Sequence, residues 1–256
     1  MAYRTKSAFD SEPLANAKAP IPMYDLTMRI ALTLLMFTPC MSFAQASGET
    51  SRSVADGGVL VPGWTGKIDA GEEKQGKTIK DARLAKEGDA LHVLTGPAVT
   101  YWNSGNKASG NYTVKATFME PKYMNLNSHP HPYGIVIGGT GLGTDQQNYL
   151  YCAAYGNGNF IVRGFSPEPF QMNGRRGEAN AAVHKAAGKD EPVTQEIAVS
   201  VKDGRVECSV NGTVVAGYDK AAVVAPGKLT STDGLYGLRF AHNTEVMVTG
   251  FGMTKN

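Results

Sequence analysis

Charge is sparse in this sequence: Asp, Glu, Lys and Arg make up 19% of its 256 residues, the net charge is +2, and no basic run exceeds the pair Arg175-Arg176. Without a basic stripe there is no electrostatic footprint for nucleic acid, and nucleic acid is excluded as a partner. Runs of Ala, Leu, Glu and Lys that favour helix are also scarce beyond the first 40 positions, which points away from helical and α/β classes. Cysteine is limited to three residues, with no CxxC pair. His-Glu-x-x-His and the Gly-x-Ser-x-Gly nucleophile elbow are absent as well, which removes the commonest zinc and serine-hydrolase signatures. The apolar run Ile30–Phe37 is too short to span a bilayer, and Thr38-Pro39 and Ser42 interrupt the segment after it, so no membrane association is expected of the mature chain.

What that apolar run does fit is a leader. Met28 to Ala46 has a positive start at Arg29, the short apolar stretch, and the small-x-small site Ala44-Gln45-Ala46, the pattern of a secretory signal peptide cleaved after Ala46. The expected location is periplasmic or secreted. Lipid attachment at Cys40 is the lesser alternative, because Phe37-Thr38-Pro39 is a poor match to the small-residue box that lipidation requires. Residues 1–27 carry no periodic pattern and precede Met28, a second plausible initiator, so they read as an over-extended start. Residues 47–256 are then one domain containing two cysteines, Cys152 and Cys208. Both fall on apolar strand phases and both can point into one core. A disulfide in an oxidising compartment and two buried free thiols are both compatible with that placement.

Hydrophobic residues reach 42% and glycine 30 residues, enough for a sizeable core and many tight turns. Period-2 alternation marks strands at Ile79–Leu84 and Ala90–Thr95, joined by the turn Lys86-Glu87-Gly88-Asp89. Asn111–Phe118 alternates most clearly, with Tyr112, Val114, Ala116 and Phe118 inward. Tyr133–Ile137, Asn148–Ala154 and Asn159–Phe165 are expected to be neighbours, the last two joined through Asn157-Gly158. Asp203-Gly204 and Asn211-Gly212 link Glu196–Val201, Arg205–Val210 and Thr213–Tyr218 into a meander. Leu235–His242 and Glu245–Phe251 are expected to pair around Asn243-Thr244, and residues 166–192 to form a long surface excursion. About a dozen strands make two stacked antiparallel sheets, an all-β sandwich.

Several stretches look familiar: Trp64, Leu91-His92-Val93, His129-Pro130-His131-Pro132-Tyr133-Gly134, Gln147-Asn148-Tyr149-Leu150-Tyr151, Val210-Asn211-Gly212, and Asp233 to Arg239. Together they resemble the concanavalin A-like lectin/glucanase superfamily, most nearly its exported bacterial domains related to the 3-keto-disaccharide hydrolase group. The resemblance covers roughly residues 58–254. It implies a jelly-roll sandwich with a concave face that in relatives often holds a saccharide. It does not imply catalysis: the Glu-x-Asp-x-x-Glu strand of laminarinase-like members is missing, since Cys208-Ser209 follows Glu207 and Val246-Met247 follows Glu245. Hydrolysis by paired carboxylates, which needs two acids about 5–9 Å apart, is thereby disfavoured.

The functional expectation is an exported carbohydrate-associated domain that binds a saccharide. Its rivals are a hydrolase or lyase acting on keto-disaccharides or other glycans with a histidine base, and an interaction module of the cell envelope. The candidate ligand-binding residues are His129, His131, Tyr149, Tyr151 and Arg163. His129 and His131, two apart in an extended segment, share a face and offer two imidazoles to a metal or a sugar hydroxyl. A zinc site needs a third ligand, for which His242, Asp145 and His92 are available. Otherwise the segment is a proline-stiffened lead into the next strand. No metal site is assigned and no cofactor is predicted, calcium and zinc staying open. Tyr149 and Tyr151 share a face opposite Cys152, where aromatic faces can stack on sugars while Arg163 bonds hydroxyls; Trp64 and Trp102 read as packing. Along Leu235–His242, Arg239 lies on one face and His242 on the other, so one polar group falls among apolar neighbours. A buried ion pair and a ligand anchor both account for Arg239. Gly138–Gly143 lacks the helix and Lys of a phosphate loop.

Overall fold

The structure is a computed structural model that describes residues 49–256. The expected signal segment 28–46 with its cleavage site, Cys40, and residues 1–27 lie outside the described residues. The strands are β1 (Gly58–Val59), β2 (Trp64–Ile68), β3 (Ala82–Glu87), β4 (Ala90–Thr95), β5 (Val99–Ala108), β6 (Tyr112–Glu120), β7 (Tyr133–Thr140), β8 (Asn148–Ala154), β9 (Asn159–Phe165), β10 (Pro169–Gln171), β11 (Glu178–Ala179), β12 (Val193–Lys202), β13 (Arg205–Val210), β14 (Thr213–Asp219), β15 (Gly234–Phe240) and β16 (Glu245–Lys255). One sheet runs β1-β3-β4-β16-β6-β12-β13-β14; the other runs β10-β9-β8-β7-β15-β5-β2, with β11 also paired to β9. Apart from the short parallel β1–β3 contact the pairings are antiparallel. This is an all-β jelly-roll sandwich.

The two sheets bury their facing residues against each other. From β6 come Tyr112, Val114, Ala116 and Phe118, from β12 Ile197, Val199 and Val201, and from the other sheet Ile135, Ile137, Leu150, Cys152, Leu238 and Phe240. Thr113, Lys115 and Thr117 of β6 point away. Alternation appears here because one face of this sheet is dry and the other wet. Cys152 on β8 and Cys208 on β13 lie in this core, bonded to each other with Cα atoms 6.0 Å apart, so the bridge ties one sheet to the other.

Turn chemistry sets the register of the meander. Asp203 and Gly204 take φ of 50° and 80°, and Asn211 and Gly212 51° and 80°, the double positive φ of a tight hairpin turn. Asn157-Gly158 behaves differently: only Gly158 has positive φ, and the Asn157 side chain instead accepts the backbone N–H of Asn159.

Three expectations need correction, and one strand is unmarked in the sequence. Ile79–Asp81 is a 3-10 turn, fixed by reciprocal Thr78 and Asp81 caps, so β3 begins only at Ala82. The unmarked strand is the ten-residue β5, which gives no alternating signal because Val99 to Trp102 are all buried and Asn103 to Lys107 are all partly or fully exposed. The excursion 166–192 adds β10 and β11 to the sheet edge and buries Phe170 and Val183. Lastly, β15 and β16 do not pair: β15 lies between β5 and β7, and β16 between β4 and β6. The chain changes sheets at 241–244, a corner held by the Thr95 hydroxyl donating to Ala241 O (2.8 Å), by Thr244 N–H donating back to Thr95 (2.8 Å), and by Asn243 at φ 50°. A hairpin would have kept His242 in strand; the corner places it on the rim of the sheet.

Candidate functional site

The strand β8 has every residue buried, although only Leu150, Cys152 and Ala154 enter the core between the sheets. Tyr149, Tyr151 and Ala153 face outward and are covered there, packing with Val136 and Ile161 and against Leu142, Tyr155 and Phe165. Over this outer face lies a cleft of about 400 Å³. Tyr151 of β8 and Arg163 of β9, directly opposite in register, form its base together with Arg239 of β15; Phe165, Pro169 and Phe170 form one side, and His129, His131 and His242 line another part. Gly164 makes room for this side: a Cβ there would come within 2.3 Å of both the Phe170 ring and the Tyr149 carbonyl.

Arg239 is buried, and Asp69 answers its charge with two hydrogen bonds of 2.6 Å. Thr100 accepts a third bond at 3.2 Å. The guanidinium carbon stands 5.9 Å from the Tyr151 ring centroid and 5.5 Å from that of Phe165, within range of cation–π attraction. Leu238 and Phe240 enter the core while Arg239 faces the cleft, and because β15 ends at Phe240, His242 escapes the apolar face that continued alternation would give it. Arg163 donates to the Arg175 carbonyl, and its buried Nε has no hydrogen bond among the described residues.

The histidine wall is held from behind. His131, 4% exposed, donates from Nδ1 to the His242 carbonyl (2.5 Å) and stacks on the His242 ring with centroids 4.2 Å apart. His129 Nε2 is 3.0 Å from His131 Nε2, while its Nδ1 is 3.4 Å from the Glu49 carboxylate. Glu49 in turn accepts the Ser128 backbone N–H. His242 Nδ1 lies 3.3 Å from the Ser51 hydroxyl, which donates to Glu72 at 2.7 Å. Burial pushes the His131 imidazole down to about 4, with neighbouring His242 adding to the effect, and burial lowers His242 too. Both shifts favour the neutral imidazole.

Of the candidate residues, His129, His131, Tyr151 and Arg163 share the cleft. Tyr149 does not reach it: the ring is fully buried and its hydroxyl is 2.9 Å from that of Thr100. Of the three donors considered for a third metal ligand, only His242 joins His129 and His131. His92 is held between Glu87 and Glu245 on the other sheet, and Asp145 lies near Lys67. Trp64 packs on Phe251 and Trp102 is buried. Sequence reasoning gives no sign of Glu49, Asp69, Tyr155 or Phe165. The first two sit in irregular segments far in sequence from the groups they touch; the last two differ in no visible way from packing aromatics.

No protein-family model and no curated protein matches the sequence. Solved structures do match. The carbohydrate binding module CBM66 from Bacillus subtilis superposes with a TM-score of 0.50 at 7% identity, over 77% of this chain and 98% of that one. A protein of unknown function with a galectin-like fold from Bacillus subtilis gives 0.49 at 11% identity, over 75% and 89% of the two chains. The exoplasmic/lumenal domain of VIP36, in its Ca2+/Man3GlcNAc-bound form, gives 0.46 at 11%, over 80% and 91%. At such identities the likeness is one of architecture. The chain has an antiparallel jelly-roll β-sandwich fold.

Proposed function

We propose that the protein is an exported saccharide-binding domain and that the cleft beside Tyr151 is its binding site. The observation that carries this reading is the joint presence, in one cleft, of aromatic side chains (Tyr151, Tyr155, Phe165) and fixed nitrogen donors (Arg163, Arg239, His129). A pyranose needs both kinds of contact: an apolar C–H face to stack on a ring, and hydroxyls to accept and donate hydrogen bonds. Arg163 is suited to the second, since it lines the cleft and its guanidinium carries several N–H donors, of which one goes to the Arg175 carbonyl. The jelly-roll likeness to a carbohydrate binding module supports the same reading at the level of fold.

Binding is favoured over paired-acid hydrolysis by the carboxylates. Among the described residues Asp69 is the only one lining the cleft, and Arg239 already occupies both its oxygens. A retaining or inverting glycosidase needs two free acids across the bond to be cut. Export rests on the leader at 28–46 and agrees with a disulfide inside the core.

The test is a glycan array probed with the full chain and with Tyr151→Ala and Arg163→Ala. Retention of a defined glycan set by the parent, and its loss in both variants, is expected. Conversion of a retained glycan to product would replace binding by catalysis. Amino-terminal sequencing of the protein recovered outside the cytoplasm should read from Ser47.

A further inference from the structure

We propose that His129, His131 and His242 form a binding site for one divalent transition-metal ion of the zinc type. One nitrogen from each ring lies within 4.8 Å of the others, and the Nε2 atoms of His129 and His131 are 3.0 Å apart. Two imidazoles on one zinc ion, each at about 2.0–2.1 Å, hold their nitrogens roughly 3.3 Å apart in tetrahedral geometry. Small adjustments therefore bring the pair into coordination distance.

The hydrogen-bond partners of the rings are compatible with that geometry. The His242 carbonyl can only accept, so His131 must carry its proton on Nδ1 and present a lone pair at Nε2. A neutral His129 has one proton to place. On Nε2 it satisfies His131 but turns a lone pair toward the Glu49 carboxylate, 3.4 Å from Nδ1; the Ser128 hydroxyl, 3.5 Å away and shared with Glu49, offers only a long contact. On Nδ1 it satisfies Glu49 and sets two Nε2 lone pairs against each other at 3.0 Å. Neutral rings leave one contact repulsive in either tautomer, and one positive charge at the Nε2 atoms, whether a proton or a metal ion, relieves it. A metal at the Nε2 atoms supplies that charge and lets both Nδ1–H groups donate, His129 to Glu49 and His131 to the carbonyl.

That is the usual surrounding of a metal-binding histidine, whose second nitrogen donates to a carboxylate or a backbone carbonyl. His242 follows it, with Nδ1 near Ser51 and, through Ser51, Glu72. Prolines 130 and 132 fix the backbone on both sides of His131, so little ordering accompanies binding. Nitrogen donors suit zinc, copper, nickel or cobalt rather than calcium, which takes oxygen. All three histidines line the cleft, so a bound ion is open to a ligand there. The inference stands apart from the saccharide reading, because none of its steps uses a sugar.

The experiment is a zinc titration of the untagged full chain, stripped with a chelator and followed by competition with a chromophoric chelator, with cobalt absorption as a second readout. One ion per chain is expected. His129→Ala should weaken binding at least about 100-fold, and Glu49→Gln about 10-fold. His129 has a 57% exposed side chain, so its loss leaves the fold intact. His184→Ala, on an exposed residue away from the cluster, should leave binding unchanged. Absence of stoichiometric zinc, or undiminished affinity in His129→Ala, would overturn the proposal. Tyr151→Ala should retain the zinc titration even where it abolishes glycan retention, which separates the two readings.

Discussion

Asp69 and Arg239 meet through two parallel hydrogen bonds of 2.6 Å beneath the cleft, though 170 positions separate them in sequence. The arginine side chain is 8% exposed and the aspartate 27%, so the pair is largely withdrawn from water. Removing one partner leaves a buried charge unanswered, at a cost of about 3–5 kcal/mol. Asp69→Ala is therefore expected to lower the urea midpoint strongly, whereas Asp69→Ala with Arg239→Met should recover part of the loss. If the double variant is as unstable as the single one, the pair does more than balance charge.

Much of the sandwich was legible in the sequence because much of it obeys alternation. Tyr112 to Phe118 reads as a strand with a wet and a dry face, and is one; Asp203-Gly204 and Asn211-Gly212 read as tight turns, and are. Legibility fails where both faces are covered or the chain changes sheets. Strand β5 has no alternation to find, and Leu235 to Phe251 looks like a hairpin because sequence cannot reveal that Thr95 and Thr244 turn the chain from one sheet to the other. The site was half legible for the same reason. His129 and His131 stand out by their prolines, but His242 joins them only through that corner, and Tyr149 differs from Tyr151 only in lying deeper.

That difference gives a second prediction. Tyr149→Phe should leave glycan binding unchanged and cost about 1 kcal/mol of stability through the lost bond to Thr100. Tyr151→Ala should abolish binding. Equal effects on binding, measured by isothermal titration, would mean that the outer face acts as packing rather than as a site.

Glu120 supplies a pH signature. The residue is 4% exposed, and its carboxyl accepts the Met124 N–H while its other oxygen has no hydrogen bond among the described residues. Burial pushes it up to about 7 from 4.5. The folded state then holds a proton that the unfolded chain has released between pH 4.5 and 7, so this group makes stability fall as pH rises through that window. Glu120→Gln should flatten the fall and stabilise the protein at pH 8 by about 2–3 kcal/mol. Denaturant melts at pH 5 and pH 8 that keep the same difference in parent and variant would contradict this.

The Cys152–Cys208 bridge closes a separation of 56 residues. Chain entropy assigns such a loop about 4 kcal/mol, and engineered removals commonly cost about 2–4. Cys152→Ala with Cys208→Ala should fall in that range by chemical denaturation. Mass spectrometry of the unreduced parent should find both thiols blocked to alkylation.

The central claim is that the cleft over β8 and β9 takes a sugar, and a thermal-shift panel of oligosaccharides and keto-sugars on the full chain tests it most directly. A ligand at a hundred times its Kd stabilises the fold by about 2.7 kcal/mol, a clear rise in Tm. The account predicts such a rise with at least one saccharide and its disappearance in Tyr151→Ala. A flat response across the panel, or a rise that survives in Tyr151→Ala, would contradict it.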